Sequence, residues 1–191
     1  ISALELLREA SPSFILESTE SIEQSSLQSY GIKMKIEILC PVEFSLLRAG
    51  CGYSLDEFVR SLSICRPHKG DGGHSGSTFF QTDDGRFLIK DVLSTEYGAL
   101  PQILPSYFKH MAKSRESLLV RVLGAFTITA RMNGGGFERR CVVMENLSHG
   151  MECARVFDFK GTERTRLMGD GHAVQLDTNY LQTPISERFV L

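Results

Sequence analysis

Apolar and polar positions alternate or recur at regular intervals through the first half of the chain, and each pattern predicts an element. Residues 32–39, "IKMKIEIL", alternate, which predicts a half-buried strand. Residues 41–50 begin with proline and end with glycine, as helices commonly do. Residues 54–63 begin with the capping box Ser54 and Glu57, which predicts a second helix. Four apolar residues at helical spacing are expected to face the core: Leu55, Phe58, Val59 and Leu62.

The middle of the chain predicts a hairpin and then a long helix. Residues 77–82 and 86–92 are apolar runs joined by "DDG", and an Asp-Gly step is a strong hairpin signal. A helix is expected over residues 94–114, kinked or broken at Pro101 and Pro105. Its apolar face is expected to carry Leu100, Ile103, Leu104 and Met111.

The second half reads mostly as strands. Residues 118–131 and 139–147 predict two strands separated by the glycine-rich loop 132–138, and residues 154–162 predict a shorter one. This order of elements predicts an α+β fold, an antiparallel sheet with helices on one face. Residues 1–30 include a serine- and glutamate-rich stretch, expected to be an arm or linker, which leaves residues 31–191 as the folded domain.

Composition narrows the class of protein. The 191 residues are 42% hydrophobic and 23% charged, as in an ordinary globular domain, and the net charge of -2 does not favour a nucleic-acid partner. The five scattered cysteines favour a reducing, cytoplasmic compartment. Cys65 and His68 have the spacing of metal ligands, but no second pair completes a zinc site, so no metal ligand is predicted.

The glycine cluster in "PHKGDGGHSGSTFFQTDDGRFLIKDV" (residues 67–92) carries the first chemical signal. Gly72, Gly73 and Gly76 leave backbone N–H groups free to face an anion. Lys90 lies on the strand that follows, which is the layout by which kinases hold ATP phosphates. The loop matches neither G-x-G-x-x-G nor a Walker motif. The alternative is a glycine-rich hairpin entry with an amphipathic lysine.

Two later segments add to this picture. "CVVMENL" (residues 141–147) is an apolar strand that turns polar, as expected of a hinge beside an adenine. "VFDFKGTERTR" (residues 156–166) ends with Lys160, Arg164 and Arg166, a cluster suited to a phosphorylated head group. The alternative for this cluster is a solvated basic turn.

Together these segments resemble the phosphatidylinositol phosphate kinase family over residues 32–180. Five motifs carry the resemblance in order: "GGHSGSTFF", "RFLIKDV", "ILPSYFKHM", "VVMENL" and "VFDFKGTERTR". "EFSLLRAGCG", the E-N of "VMENL" and the R-x-R of "ERTR" are most similar to the PIKfyve-type branch, which phosphorylates phosphatidylinositol 3-phosphate at the 5-position.

The resemblance implies a role for each matching residue. Lys90 would bind the α/β-phosphates of ATP, with Glu96 as its partner. Lys160 would act near the transferred phosphate or the lipid head group, and Arg164 and Arg166 would hold the anionic lipid. The phosphates would be covered by Gly73, His74, Ser75, Gly76 and Ser77, and the adenine pocket would be lined by Met144, Glu145, Asn146 and Leu147. His74 departs from the family, which usually has lysine or arginine there; the variant motif D-F-K-G-T keeps the family's shape and polarity.

The carboxylates that hold Mg²⁺ in this family belong to a C-terminal lobe, and only Asp177 resembles the acidic segment after the basic turn. The chain therefore resembles the N-terminal lobe alone, and we expect a fragment or processed product. Three functions stay open: part of a lipid kinase, a phosphoinositide-binding or regulatory module, and a structural domain with a decayed nucleotide site. The implied cofactors are ATP and Mg²⁺. The implied partners are a phosphatidylinositol phosphate at an endosomal or other internal membrane and either a second copy of the chain or the missing lobe.

Overall fold

The computed structural model describes residues 33–68, 78–113, 117–132, 134–151, 155–161, 167, 169 and 174–184, and the backbone of 19–24. Within these ranges, the residues up to 68 and from 78 to 147 form one compact unit, and those from 148 onwards form a second. Of the predicted arm over residues 1–30, only the strand at 19–24 is described. The predicted glycine loop, residues 73–77, lies outside the described residues.

The first unit is built on a seven-stranded sheet whose paired neighbours are all antiparallel. Its strands are β1 (Thr19–Gln24), β2 (Lys33–Leu39), β3 (Cys65–His68), β4 (Phe79–Thr82), β5 (Phe87–Asp91), β6 (Val122–Met132) and β7 (Gly135–Glu145). The strand order is β1-β2-β6-β7-β5-β4-β3. Three helices accompany this sheet: α1 (Pro41–Gly50), α2 (Leu55–Leu62) and α3 (Ser94–Lys113). The predicted α+β class with an antiparallel sheet is confirmed.

Local signals fix several of these boundaries. Helix α1 begins at Pro41, as predicted, directly after Cys40 in the left-handed region at φ 48°. At the start of α2, the Glu57 N–H donates to Ser54 Oγ at 3.2 Å, and the Ser54 N–H donates to Glu57 Oε2 at 3.0 Å. The β4–β5 turn places Gly85 at φ 73°, a conformation that glycine adopts without strain.

The apolar stripe of α2 is narrower than predicted. Leu55 and Val59 were expected in the core, but they are 61% and 57% exposed. Helix α2 buries Phe58 and Ser61, one turn apart, and the Phe58 ring meets Phe87 edge-on at 5.3 Å. The Phe58 ring and the hydrogen bond from Ser61 Oγ to Asp84 Oδ1 therefore dock this short helix, and Leu55 and Val59 stay at the surface.

Helix α3 continues through both of its prolines, so of the two predicted alternatives, a kink or a break, the break was wrong. The face that carries Leu104, Phe108 and Met111 is buried, and this packing outweighs the hydrogen bonds that proline cannot make. Ile103, expected on that face, is 56% exposed.

The predicted loop over residues 132–138 is mostly strand, because β6 and β7 stay paired as far as Met132 and Gly135. Gly136 permits this pairing, since a Cβ there would lie 2.5 Å from the Ala130 carbonyl oxygen. Gly136 thus serves close strand approach, whereas the sequence pattern suggested a loop.

A buried guanidinium joins α1 to the sheet. Arg48 Nη1 donates to the Leu123 carbonyl oxygen at 2.7 Å, and the guanidinium lies 4.6 Å from the centre of the Phe58 ring. Burial lowers the pKa of Arg48. Nearby, Phe44 of α1 meets Phe108 of α3 edge-on at 4.9 Å, so α1 is held to both the sheet and α3.

The second unit contains β8 (Val156–Asp158) paired in parallel with β9 (Val174–Leu176), followed by the short helix α4 (Asp177–Gln182). Tyr180 packs edge-on against Phe157 and Phe159, with centroid distances of 5.3 and 5.0 Å. Across the part of the chain that the structure describes, no helix has the length and apolarity needed to cross a membrane.

Candidate functional site

Lys90 lies on one face of the sheet beside residues of β7. Lys90 pairs with Val142 and Leu88 pairs with Met144, so these side chains share a face because alternate residues of a strand point the same way. Helix α3 lies beside this face, and the two border a half-open cavity of about 300 Å³. Apart from Lys90 and Glu96 at the cavity, the lining is formed by Val92, Leu100, Ile103, Leu104, Tyr107, Val122, Val142 and Met144.

An ion pair connects β5 and α3 at this cavity. Lys90 Nζ lies 3.6 Å from Glu96 Oε1. The other oxygen, Glu96 Oε2, accepts the Leu93 N–H at 2.9 Å. This hydrogen bond, with the Lys90 ammonium adding to it, lowers the pKa of Glu96. The result is a half-buried ammonium, oriented by one carboxylate, beside a mostly apolar cavity, an arrangement suited to an anion attached to an apolar ring.

Met144 and Glu145, the first two residues of the segment 144–147, point to opposite faces of the sheet. Met144 lines the cavity, whereas Glu145 pairs with Phe87 and therefore points to the face opposite Lys90. The Glu145 N–H donates to the Arg121 carbonyl oxygen at 2.9 Å, and the Asn146 N–H donates to the Arg86 carbonyl oxygen at 2.9 Å. Both N–H groups are thus used within the protein.

The end of this segment is anchored to the β4–β5 turn. Asn146 Nδ2 donates to the Gly85 carbonyl oxygen at 2.7 Å, so the Asn146 side chain has a bonding role of its own. The next residue, Leu147, is 61% exposed.

Lys160 lies in the second unit, on a turn fixed by one carboxylate. The N–H groups of Lys160 and Gly161 both donate to Asp177 Oδ1, each at 3.0 Å. Gly161 has φ 63°, which favours glycine at that position. Lys160 Nζ lies 3.4 Å from Asp158 Oδ1, and the lysine side chain is 58% exposed. The turn therefore presents a cation to solvent from a defined backbone.

The structure brings together Lys90, Glu96 and Met144 of the predicted site residues. The Glu145 side chain lies on the sheet face opposite Lys90. The Asn146 side chain is hydrogen-bonded to the β4–β5 turn. Residues 73–77, Arg164 and Arg166 lie outside the described residues. No local signal pointed to Tyr53 and Arg121, which hold Glu145 from distant segments; Asp177 could be found from its acidic type after the basic turn.

A magnesium site would need several carboxylate or other polar side chains close together. Within the described ranges, no group of three His, Cys, Asp or Glu side chains is placed to hold a metal ion. We therefore assign no Mg²⁺ ligand among the residues that the structure describes.

Comparison with known families defines the class. The family model described as Phosphatidylinositol-4-phosphate 5-Kinase matches residues 63–183. The chain therefore belongs to the phosphatidylinositol phosphate kinase family, as its motifs suggested.

Individual relatives narrow the likeness to one branch. The putative 1-phosphatidylinositol-3-phosphate 5-kinase FAB1C of Arabidopsis thaliana is 33% identical over 95% of this chain and 12% of its own length. The 1-phosphatidylinositol 3-phosphate 5-kinase FAB1 of Saccharomyces cerevisiae is 31% identical over 78% of this chain and 7% of its own. The 1-phosphatidylinositol 3-phosphate 5-kinase of Mus musculus is 36% identical over 60% of this chain and 6% of its own. The matched part is thus a small fraction of each relative.

Proposed function

We propose that this chain is the ATP-binding lobe of an enzyme that phosphorylates the inositol ring of a phosphatidylinositol monophosphate. The observation that carries the proposal is the Lys90–Glu96 pair, with 3.6 Å between Nζ and Oε1, at a cavity of about 300 Å³. The substrate we propose is phosphatidylinositol 3-phosphate, converted to the 3,5-bisphosphate, because the relatives are named as 3-phosphate 5-kinases.

On the nucleotide side, the residues of this chain bind and orient. The Lys90 ammonium pairs with α/β-phosphate oxygens, and Glu96 limits the directions that this ammonium can take. Met144 and Leu147 contact the adenine, while the backbone of residues 73–77 covers the phosphates. ATP supplies the phosphoryl group that is transferred. The carboxylates for Mg²⁺ are expected from a C-terminal lobe.

On the lipid side, Lys160 contacts the head group or the transferred phosphate. Asp177 holds the backbone on which Lys160 stands, so the ammonium is presented without reordering the turn. Arg164 and Arg166 add positive charge toward the anionic lipid. We place the protein peripherally on endosomal or other internal membranes, acting with a second copy of the chain or with a C-terminal lobe.

A phosphoinositide-binding or regulatory module is the second candidate, favoured by the same fixed turn at Lys160. One experiment separates the two. Native protein, Lys90→Met and Lys160→Ala are incubated with labelled ATP and vesicles carrying each phosphatidylinositol monophosphate, and vesicle binding, ATP binding and phosphate transfer are all measured.

For the ATP-binding lobe we expect saturable ATP binding that needs Lys90. Vesicle binding should be weaker in Lys160→Ala and unchanged in Lys109→Ala, which removes an exposed lysine from α3. Vesicle binding without any ATP binding would instead support the regulatory module. Lys90-dependent transfer by the native chain alone would mean that it holds the catalytic carboxylates itself.

A further inference from the structure

We propose that Glu145 is a positioning residue for the nucleotide site: with Tyr53 and Arg121 it fixes the strand end that carries Met144. This inference rests on the proposed function, because it assumes that Met144 contacts a bound adenine.

The Glu145 carboxylate is engaged through both oxygens. Tyr53 Oη donates to Oε1 at 2.8 Å. Arg121 Nη1 donates to Oε2 at 3.0 Å and to Oε1 at 3.3 Å. The Glu145 side chain is 17% exposed and that of Arg121 is 43% exposed, so the carboxylate is the better shielded partner.

Glu145 acts on the site through the backbone. Its side chain leaves the sheet on the Phe87 face, opposite Lys90, and the Tyr53 ring meets Phe87 edge-on there at 5.1 Å. The Glu145 N–H also donates to the Arg121 carbonyl oxygen. Arg121 thus holds Glu145 by its backbone and by its side chain, and this double attachment fixes the direction of the neighbouring Met144.

The same cluster reaches the other wall of the cavity. Tyr107, which lines the cavity from α3, donates its hydroxyl proton to the Val120 carbonyl oxygen at 3.0 Å and accepts the Val122 N–H at 2.7 Å. Val120 and Val122 flank Arg121 in the sequence. Hydrogen bonds made by Tyr107 and by Glu145 to the backbone of residues 120–122 therefore link α3 to the strand end that carries Met144.

Tyr53 and Arg121 each keep one protonation state over the neutral range. Burial and then the hydrogen bond to Glu145 raise the pKa of Tyr53 to about 12. Burial opposes the charge on Arg121, but the Glu145 carboxylate outweighs it and the pKa of Arg121 is raised. Tyr53 therefore stays a hydrogen-bond donor and Arg121 a cation near neutral pH.

The test compares ATP with adenosine, which lacks phosphates. Glu145→Gln should weaken the binding of both probes by the same factor, about five-fold or more, because it loosens the adenine contact. Lys90→Met should weaken ATP alone. Dissociation constants are measured by nuclear magnetic resonance titration of the 191-residue chain, below the melting temperature of each variant.

Two further variants keep the test decisive. Tyr53→Phe removes one hydroxyl and keeps the ring against Phe87, and it should weaken both probes by a smaller factor than Glu145→Gln. Arg121→Lys keeps the positive charge and should restore part of the affinity lost in Arg121→Ala. A merely structural role would lower the melting temperature and leave both dissociation constants unchanged, which would overturn the inference. Native protein that binds neither probe would overturn the proposed function instead.

Discussion

The substitution Glu96→Gln is expected to change the stability of the protein only slightly and to weaken its affinity for ATP. The two charges lie 3.6 Å apart, which at an effective dielectric constant of about 20 corresponds to an attraction of roughly 5 kcal/mol. However, the Lys90 and Glu96 side chains are 24% and 45% exposed, so solvent screens most of this attraction. Ion pairs this exposed contribute about 0.2–1 kcal/mol to folding.

The substitution is mild in the unliganded protein. A glutamine oxygen can still accept the Leu93 N–H, so the start of α3 keeps its hydrogen bond. A loss of up to about 1 kcal/mol should lower the melting temperature by about 4 °C or less in a chain of this size. The affinity for ATP should fall by about three- to ten-fold, because the Lys90 ammonium loses the carboxylate that orients it.

Glu37→Gln is the matched control. Glu37 forms an ion pair with Lys35 on β2, 2.9 Å apart, with side-chain exposures of 38% and 42%. Both variants are compared by thermal unfolding and by calorimetric titration with ATP. Similar small losses of stability are expected, with an ATP effect only in Glu96→Gln. Equal ATP affinities in the two variants would refute the role assigned to Glu96.

Three further predictions concern stability. Arg48→Met should lower the free energy of unfolding by about 2–4 kcal/mol, measured by urea denaturation, since it removes the bond to the Leu123 carbonyl oxygen and the contact with the Phe58 ring; a loss below 1 kcal/mol would contradict it. Tyr107→Phe should cost about 1–3 kcal/mol by the same assay, because the Val122 N–H loses its acceptor. Burial raises the pKa of Tyr107 to about 12, whereas an unfolded tyrosine ionises near pH 10, so native stability should fall as pH rises through this window. The stability of Tyr107→Phe should fall less steeply over the same pH range. An equal slope in the two proteins would show that Tyr107 is not the cause.

Short-range signals explain what the sequence could predict of the fold. The start of α1 follows from proline, the start of α2 from the Ser54–Glu57 box, and the β4–β5 turn from an Asp-Gly step. Each signal acts within a few residues and needs no tertiary contact. Burial was predicted less well: Leu55 and Ile103 have the periodicity of core residues, but which face of a helix meets a sheet depends on packing that periodicity alone does not contain.

Some residues of the candidate site could likewise be predicted from the sequence, and others could not. Lys90 and Glu96 are close in sequence: Lys90 lies in a family motif, and Glu96 was predicted as its partner on the helix that follows. The Tyr53–Glu145 hydrogen bond joins residues 92 positions apart, so nothing local predicts it. The direction of the Glu145 side chain depends on the register between β5 and β7, which is fixed only when the sheet forms.

Direct ATP binding by the native chain and by Lys90→Met is the measurement that tests the central claim. Lys35→Met serves as the control, because it removes a lysine of an ion pair on another strand. We expect saturable binding of ATP by the native chain and by Lys35→Met, and at least about ten-fold weaker binding by Lys90→Met. Equal binding by all three proteins, or none by the native chain, would show that Lys90 does not hold a nucleotide.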